Sequence, residues 1–338
     1  MLSSPRVAPG LLTWQAWSAL REAARVLAGS GEHPLIPALT AADVVPSVVD
    51  APASAAALAA FLSSVDGPVV WLAPQGTSAD PALISGLTVP YQVLDGSVDL
   101  PGAHLLDLVA IMDRLRVSCP WDREQTHSSL LKYLLEEAYE AAETIELGDL
   151  AALREEIGDV MFQAFFHARI AAERPSAEGG FTIDDVADTL AAKLIRRHPH
   201  VFADVSVSSS ADVNTNWEEI KKAERAAKAN AAGPAGAGAP SVLDGVPFAQ
   251  PALSLAAQLQ GRAQRVGIPV PAEPAASVDD GASLGDALMG LVSRARAAGL
   301  DPELELRTAA RRFADSVREA EQAAAAANAN DQTDSAGA

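Results

Sequence analysis

Apolar residues in the middle of the chain recur at helical spacing. Leu134, Ala138, Ala141 and Ile145 fall three or four residues apart, as do Leu153, Ile157, Val160 or Met161, and Phe165. With Leu135, Phe162 and Phe166 they mark one broad face on each of two helices. Between the two runs stands Gly148, a residue that readily takes the left-handed cap of a first helix, and Asp149 can cap a second by accepting a backbone N–H. So short a connection predicts antiparallel neighbours, with these apolar positions burying both helices against one another. A third helix is expected downstream: Thr182 and Asp185 read as a capping box, and the run through Val186, Leu190, Lys193 and Leu194 stops before Pro199. A fourth spans Trp217 to Ala229.

The polar positions in the same stretch are not scattered. Glu140 lies eight residues before Gly148 and Glu156 eight after it; Glu137 lies eleven before and Asp159 eleven after. Folded about the glycine, the four acids come to one level, roughly 12 to 16 Å from the turn. Carboxylates converging between packed helices repel one another and are costly to desolvate, so their meeting calls for a neutralising cation. Oxygen-only ligands favour magnesium or manganese over zinc. Spacing leaves open whether Glu136 or Glu137 partners Glu140, since both offsets are helical. Glu143, Glu146 and Glu155 read as ordinary solvated helix positions.

The residues around this quartet carry a resemblance. Cys119-Pro120-Trp121-Asp122-Arg123-Glu124-Gln125-Thr126-His127, Leu135 to Glu140 with its Glu136-Glu137-Ala138-Tyr139-Glu140, Glu156-Ile157-Gly158-Asp159, Arg196-Arg197-His198-Pro199-His200-Val201-Phe202 and Asn216 to Lys221 occur in that order. This stretch, roughly residues 105 to 228, resembles the MazG family of nucleoside triphosphate pyrophosphohydrolases. The resemblance implies a helical bundle core completed by dimerisation, and magnesium-dependent hydrolysis of a nucleoside triphosphate to the monophosphate and pyrophosphate, with Mn2+ as a possible substitute. It implies Glu137, Glu140, Glu156 and Asp159 as metal ligands, which resolves the choice that spacing left open, and gives Glu136 a supporting or base-like role. It further assigns Tyr133, Lys193, Arg196, Arg197, His198, His200, Trp217 and Lys221 to the substrate. The arginines suit phosphate oxygens because a guanidinium can donate two parallel hydrogen bonds. Without the resemblance, Lys193, Arg196 and Arg197 would equally serve as counter-charges to a helix C-terminus.

Two other classes fit parts of the pattern. A di-iron carboxylate protein requires Glu-x-x-His on two helices; the residue three after Glu156 is Asp159, and His167 lies too far along. A nucleotide sensor without turnover would use the same acids and cations, and only turnover separates it from an enzyme.

Composition narrows the partners. With 44 Asp plus Glu against 25 Lys plus Arg, a net charge of −19 argues against a nucleic-acid polymer as ligand. A single cysteine, Cys119, rules out an internal disulfide framework, and no stretch is apolar and long enough to span a membrane. No signal peptide is evident, so a cytoplasmic location is the expectation.

The overall expectation is a mainly α protein. Residues 1–103 read as a small α/β segment, with a helix from Trp14 to Leu27 and a strand at Val69–Leu72. Its Leu11 to Ala28 stretch faintly resembles the start of a tetrapyrrole methylase domain, without that fold's glycine-rich cofactor loops. Residues 104–229 form the catalytic region and 230–240 a Gly/Ala/Pro linker. Residues 241–321 read as a degenerate second copy, because Leu284-Gly285-Asp286-Ala287-Leu288-Met289 echoes Ile157-Gly158-Asp159-Val160-Met161-Phe162. Ser283 stands where Glu156 stands, so this copy should hold no metal. Its helices are expected at Pro251–Val266, Leu284–Ala298 and Pro302–Glu321, with a second break at Pro269–Ser283 and a fraying tail over 322–338.

Overall fold

In the computed structural model the chain forms two compact units, residues 1–205 and 206–338. The structure describes all residues except 51–53, 204, 206, 208, 210–211, 214–215, 218, 222, 225–226, 228–240, 272–277, 279 and 336–338. The fold is mainly α, with one small sheet.

The first unit begins with α1 (Trp14–Glu22), β1 (Arg25–Ala28), α2 (Ile36–Ala41), β2 (Ser47–Val48), α3 (Ala55–Ser63), β3 (Val69–Leu72) and α4 (Pro81–Gly86). The three strands are parallel in the order β2-β1-β3, with Leu27 opposite Ser47 and Trp71. The helix expected to run to Leu27 therefore stops at Glu22. Val26 and Leu27 are buried and pair with Val70 and Trp71, so tertiary burial overrides the helical pattern that precedes them. Leu20, Val26, Ala28, Leu35, Leu39, Val44, Val70 and Leu72 form a closed core, each large side chain stabilising it by about 1.5–3 kcal/mol.

Helical structure follows: α5 (Leu105–Ser118), α6 (Pro120–Glu124), α7 (His127–Leu147), α8 (Leu150–Ala171), α9 (Ile183–Arg197) and α10 (Pro199–Phe202). Arg6 ties this part to the α/β segment. Its guanidinium is 2.6 Å from Asp99 and 2.7 Å from Asp107 on α5, and both carboxyls are held below the usual aspartate range, Asp107 chiefly by Arg6 and Asp99 chiefly by the Ser4 hydroxyl.

α7 and α8 form the hairpin. α7 opens on a capping box between Thr126 and Ser129 and closes at Gly148, whose φ of 72° is the left-handed conformation that disfavours a side chain. The Asp149 carboxylate then accepts from the N–H groups of Ala151 and Ala152 to start α8. α9 opens on the Thr182–Asp185 capping box and packs along α8.

The hairpin core is smaller than the apolar pattern suggested. Met112, Leu130 and Phe166 are buried together, but Leu135, Ile145 and Ile157 are exposed by 48%, 61% and 47%. No residue of α9 is buried, and its apolar side chains Val186, Leu190, Leu194 and Ile195 face solvent. Two antiparallel helices cover one stripe each, and the apolar faces here are wider than that stripe.

In the second unit the helices Ala252–Arg265, Gly281–Ala297 and Pro302–Ser335 pack against one another. The middle one starts three residues before the expected Leu284, because Asp280 and Ser283 make a capping box. The last continues to Ser335 through the Ala-rich stretch expected to fray, consistent with alanine's helix propensity. Of the expected helix from Trp217 to Ala229, the described residues Trp217, Glu219, Ile220, Lys221, Ala223, Glu224 and Ala227 are helical. The others, with the 230–240 linker, lie outside the described residues.

Candidate active site

The hairpin brings acids from both arms together. Glu137 on α7 and Glu156 and Asp159 on α8 each offer a carboxylate oxygen, and these atoms all lie within 4.8 Å of one another. Glu137 and Glu156 are half-buried and Asp159 is exposed, so the cluster sits at the rim of the helix pair, open on one side. Glu140, one turn further along α7, is outside that group but shares a hydrogen bond with Glu156. Glu136 is exposed beside it on α7.

Electrostatics records the crowding. Withdrawal from water, followed by the charges of Asp159, Glu140, Glu136 and Glu156, holds the Glu137 carboxyl above the usual glutamate range. Glu156 is raised in the same direction, first by desolvation and then by Glu140, Asp159 and Glu155. Like charges this close keep their protons longer unless a cation offsets them. Three carboxylates from two helices are hard oxygen donors, the set that magnesium or manganese takes with waters completing the shell. The residues present fit such an ion.

The predicted cations are on the helix that packs against α8. Lys193 and Arg197 are half-buried and Arg196 is exposed, all in the last turns of α9. His198 caps α9, its Nδ1 lying 2.7 Å from the Leu194 carbonyl, and its ring is 5.7 Å from that of His200 in α10. Trp217 and Lys221 belong to the second unit, where the Lys221 ammonium lies 4.6 Å from the centre of the Trp217 ring.

Tyr133 stands one turn before Glu137 on the same side of α7. Two residues that sequence reasoning did not assign to the site surround it: Trp121 of α6, with ring centres 5.9 Å apart, and Lys132, whose ammonium is 4.5 Å from the tyrosine ring. The signal for Lys132 was its position five residues before Glu137 in an otherwise acidic stretch; that for Trp121 was an aromatic in a polar turn.

The far end of the hairpin is fixed by charge. Arg116 of α5 pairs with Glu173 at 2.6 Å and donates to the carbonyls of Asp122 and Gln125, while Arg169 lies 2.6 Å from Asp113. Arg116 holds Glu173 below the usual glutamate range. Beside this network, His127 and His167 stack with their Nδ1 atoms 2.8 Å apart.

The same stretch matches known proteins. Residues 125–202 match the MazG nucleotide pyrophosphohydrolase domain. The chain is 38% identical over 243 residues to a protein of Escherichia coli strain K12 named nucleoside triphosphate pyrophosphohydrolase, covering 65% of this chain and 88% of that protein. The chain belongs to the MazG family. It is 44% identical over 226 residues to a Mycolicibacterium smegmatis protein of the same name, covering 67% of this chain and 62% of that protein. An uncharacterized 26.1 kDa protein of Streptomyces cacaoi shares 46% identity over 230 residues, 68% of this chain and 88% of its own length. As a MazG protein the chain is a hydrolase, and the matched domain contains every acid of the cluster. Among the described residues no helix is long and apolar enough to cross a membrane.

Proposed function

We propose that this MazG protein hydrolyses nucleoside triphosphates to nucleoside monophosphates and pyrophosphate, with Mg2+ held by Glu137, Glu140, Glu156 and Asp159 and Mn2+ able to replace it. The observation that carries this reading is the convergence of three carboxylates from two helices within 4.8 Å, inside the matched domain. Family membership supports the reaction; the raised Glu137 and Glu156 carboxyls support the need for a cation. When bound, the ion supplies charge neutralisation at the triphosphate and a more acidic water.

This chain's own residues do the rest. Glu136, next to the ligand Glu137, accepts the proton of the attacking water. Arg196 and Arg197 grip phosphate oxygens, with Lys193, His198 and His200 adding positive charge or hydrogen bonds. Tyr133 flanks the nucleotide at the start of the site, and the family resemblance adds Trp217 and Lys221 as further ligand residues. Catalysis is then mainly positioning and electrostatic complementarity. The cellular role we infer is sanitation or control of nucleotide pools in the cytoplasm, without a nucleic-acid polymer as partner.

We also infer a homodimer. Leu135 of α7, Ile157 of α8 and Leu190 and Leu194 of α9 are exposed apolar residues that a second copy can cover. Light scattering should give twice the mass of one chain, and a fully active monomer would overturn the assembly. The activity itself is tested by measuring pyrophosphate release from each common triphosphate with Mg2+. Nucleotide binding with no pyrophosphate would show a sensor instead.

A further inference from the structure

A cavity of about 1150 Å3 lies in the α/β segment, and every residue lining it falls between Met1 and Leu94, so it shares none with the acidic hairpin. Its walls follow from how two short helices pack. A Cβ on Gly86 of α4 would stand 2.9 Å from the Ala59 Cβ, so this small pair lets α3 and α4 meet closely. Leu58 and Leu62 of α3, and Leu83 and Leu87 of α4, recur at four-residue spacing and are half-buried along the cavity. Trp71 of β3 and Tyr91 add aromatic surface, and Tyr91 is 54% exposed. The space exceeds the roughly 300–1,000 Å3 of an ordinary small-molecule site.

β3 ends the sheet order, which would invite an extended peptide as a further strand. That edge is already paired. The Met1 nitrogen donates to the Trp71 carbonyl at 2.6 Å, the Ala73 N–H donates to the Met1 carbonyl at 3.1 Å, and Leu2 bonds in turn to Leu94 and Gly96. The cavity therefore offers side chains rather than open backbone, which suits a small molecule.

Charge selects the kind of molecule. Glu22, Asp66 and Asp80 line the cavity, and no Lys, Arg or His is among its lining residues. Burial pushes the Met1 amino group down to about 6, so it carries no charge at neutral pH. Asp80 is engaged in capping α4 through the Ala82 N–H, while Glu22 and Asp66 are exposed. Among the described residues these acids do not meet as a group that could hold a metal ion. Such a lining repels phosphates and carboxylates, and it attracts a cation through both the carboxylates and the aromatic faces.

We propose that this cavity binds a hydrophobic organic cation, an amine or quaternary ammonium. Its apolar part lies against the leucines of α3 and α4, and its charge is met by Glu22, Asp66 and the rings of Trp71 and Tyr91. The site uses none of the residues of the pyrophosphohydrolase reading and does not depend on it.

Calorimetric titration of the full chain with three naphthalene probes of one shape tests the site. They are naphthylmethylamine, positive at neutral pH, naphthalenemethanol, neutral, and naphthoate, negative. The amine should bind about fivefold or more tightly than the alcohol, in the range for a cation held over an aromatic face, and naphthoate should give no heat. Equal affinity for amine and alcohol, a preference for naphthoate, or no binding of any probe would overturn the proposal. Combining Glu22→Gln with Asp66→Asn should bring the amine down to the affinity of the alcohol and leave the alcohol unchanged. Tyr91→Leu should weaken the amine more than the alcohol. Glu319→Gln, an exposed position on the last helix of the second unit, controls for the acidity of the whole chain and should change nothing. An equal loss there would reduce the effect to diffuse attraction and contradict the site. Glu137→Gln should likewise leave amine binding intact; a loss would place the amine at the hairpin acids instead. Pyrophosphate release enters none of these measurements, so the failure of either reading leaves the other standing.

Discussion

The α/β segment and the helical hairpin spend their apolar residues differently. Around β1 and β3 the core is closed, with Leu20, Leu27, Leu35, Leu39 and Leu72 each no more than 2% exposed. At the hairpin, among the described residues, such a cluster is made by Leu130 and Phe166 with Met112 of α5, while α9 buries nothing. Among the described residues the closed region has no assembled group of acids; the open one carries the carboxylates, with cations on the helix that packs against α8. A site that must admit a charged substrate cannot be sealed, and helices lining it keep wide faces available for other contacts. Stability and chemistry are thus carried by different parts of the first unit.

The comparison is broken most severely at the carboxylates. Glu137→Gln or Asp159→Asn should reduce kcat/KM by roughly 1,000-fold or more, since a bound metal supplies several kcal/mol of transition-state stabilisation. Neither change should lower the melting temperature of metal-free protein, because each removes a repelling charge. Steady-state kinetics beside calorimetric melting checks both halves, and a variant that loses activity only because it unfolds would contradict the division of labour.

Next come the apolar residues. Leu72→Ala, in the closed core, should destabilise by about 2–5 kcal/mol, measured by urea unfolding. Leu190→Ala, on the open face of α9, should leave that unfolding within about 0.5 kcal/mol when the protein is dilute. It should instead weaken self-association in sedimentation. Equal losses of stability would mean that the α9 face is already packed within one chain.

Gly148 offers a finer cut. Gly148→Ala should cost about 1 kcal/mol through its left-handed φ, since an added methyl group meets no atom within 4 Å. Activity per folded molecule should change little, which separates the turn's geometry from the chemistry one helix-length away.

These contrasts also show what the sequence could reveal. The hairpin was legible because its signals are local: a glycine and an aspartate at the turn, and acids at matched distances from it. The strand at Arg25–Ala28 was not, because Val26 and Leu27 extend only when β3, more than forty residues away, pairs with them. The exposure of Leu135 and Ile157 was equally hidden, since periodicity marks an apolar face but cannot say how much of it one neighbour covers. In the candidate site the acids could be counted from the turn. Trp121 needed the tertiary meeting of α6 with α7, and Glu140 stands slightly apart from the other three ligands assigned by resemblance.

The smallest expected effect is on pH. Burial, and then the charge of His127, holds the His167 imidazole below its usual range. The folded state therefore favours the neutral ring, and its contribution is complete above about pH 6.5 and is lost as the pH falls from there. His167→Gln should flatten the stability profile below about pH 6.5 without altering that of the α/β core; an unchanged slope would remove the histidine pair from the account.

The most direct test of the central claim is pyrophosphate release from a nucleoside triphosphate, titrated with Mg2+ from a chelated start, for the wild type and Glu137→Gln in parallel. The account predicts saturable, Mg2+-dependent release by the wild type, restored by Mn2+, and next to none by the folded variant. Release that persists under chelator, or that Glu137→Gln leaves intact, would contradict it.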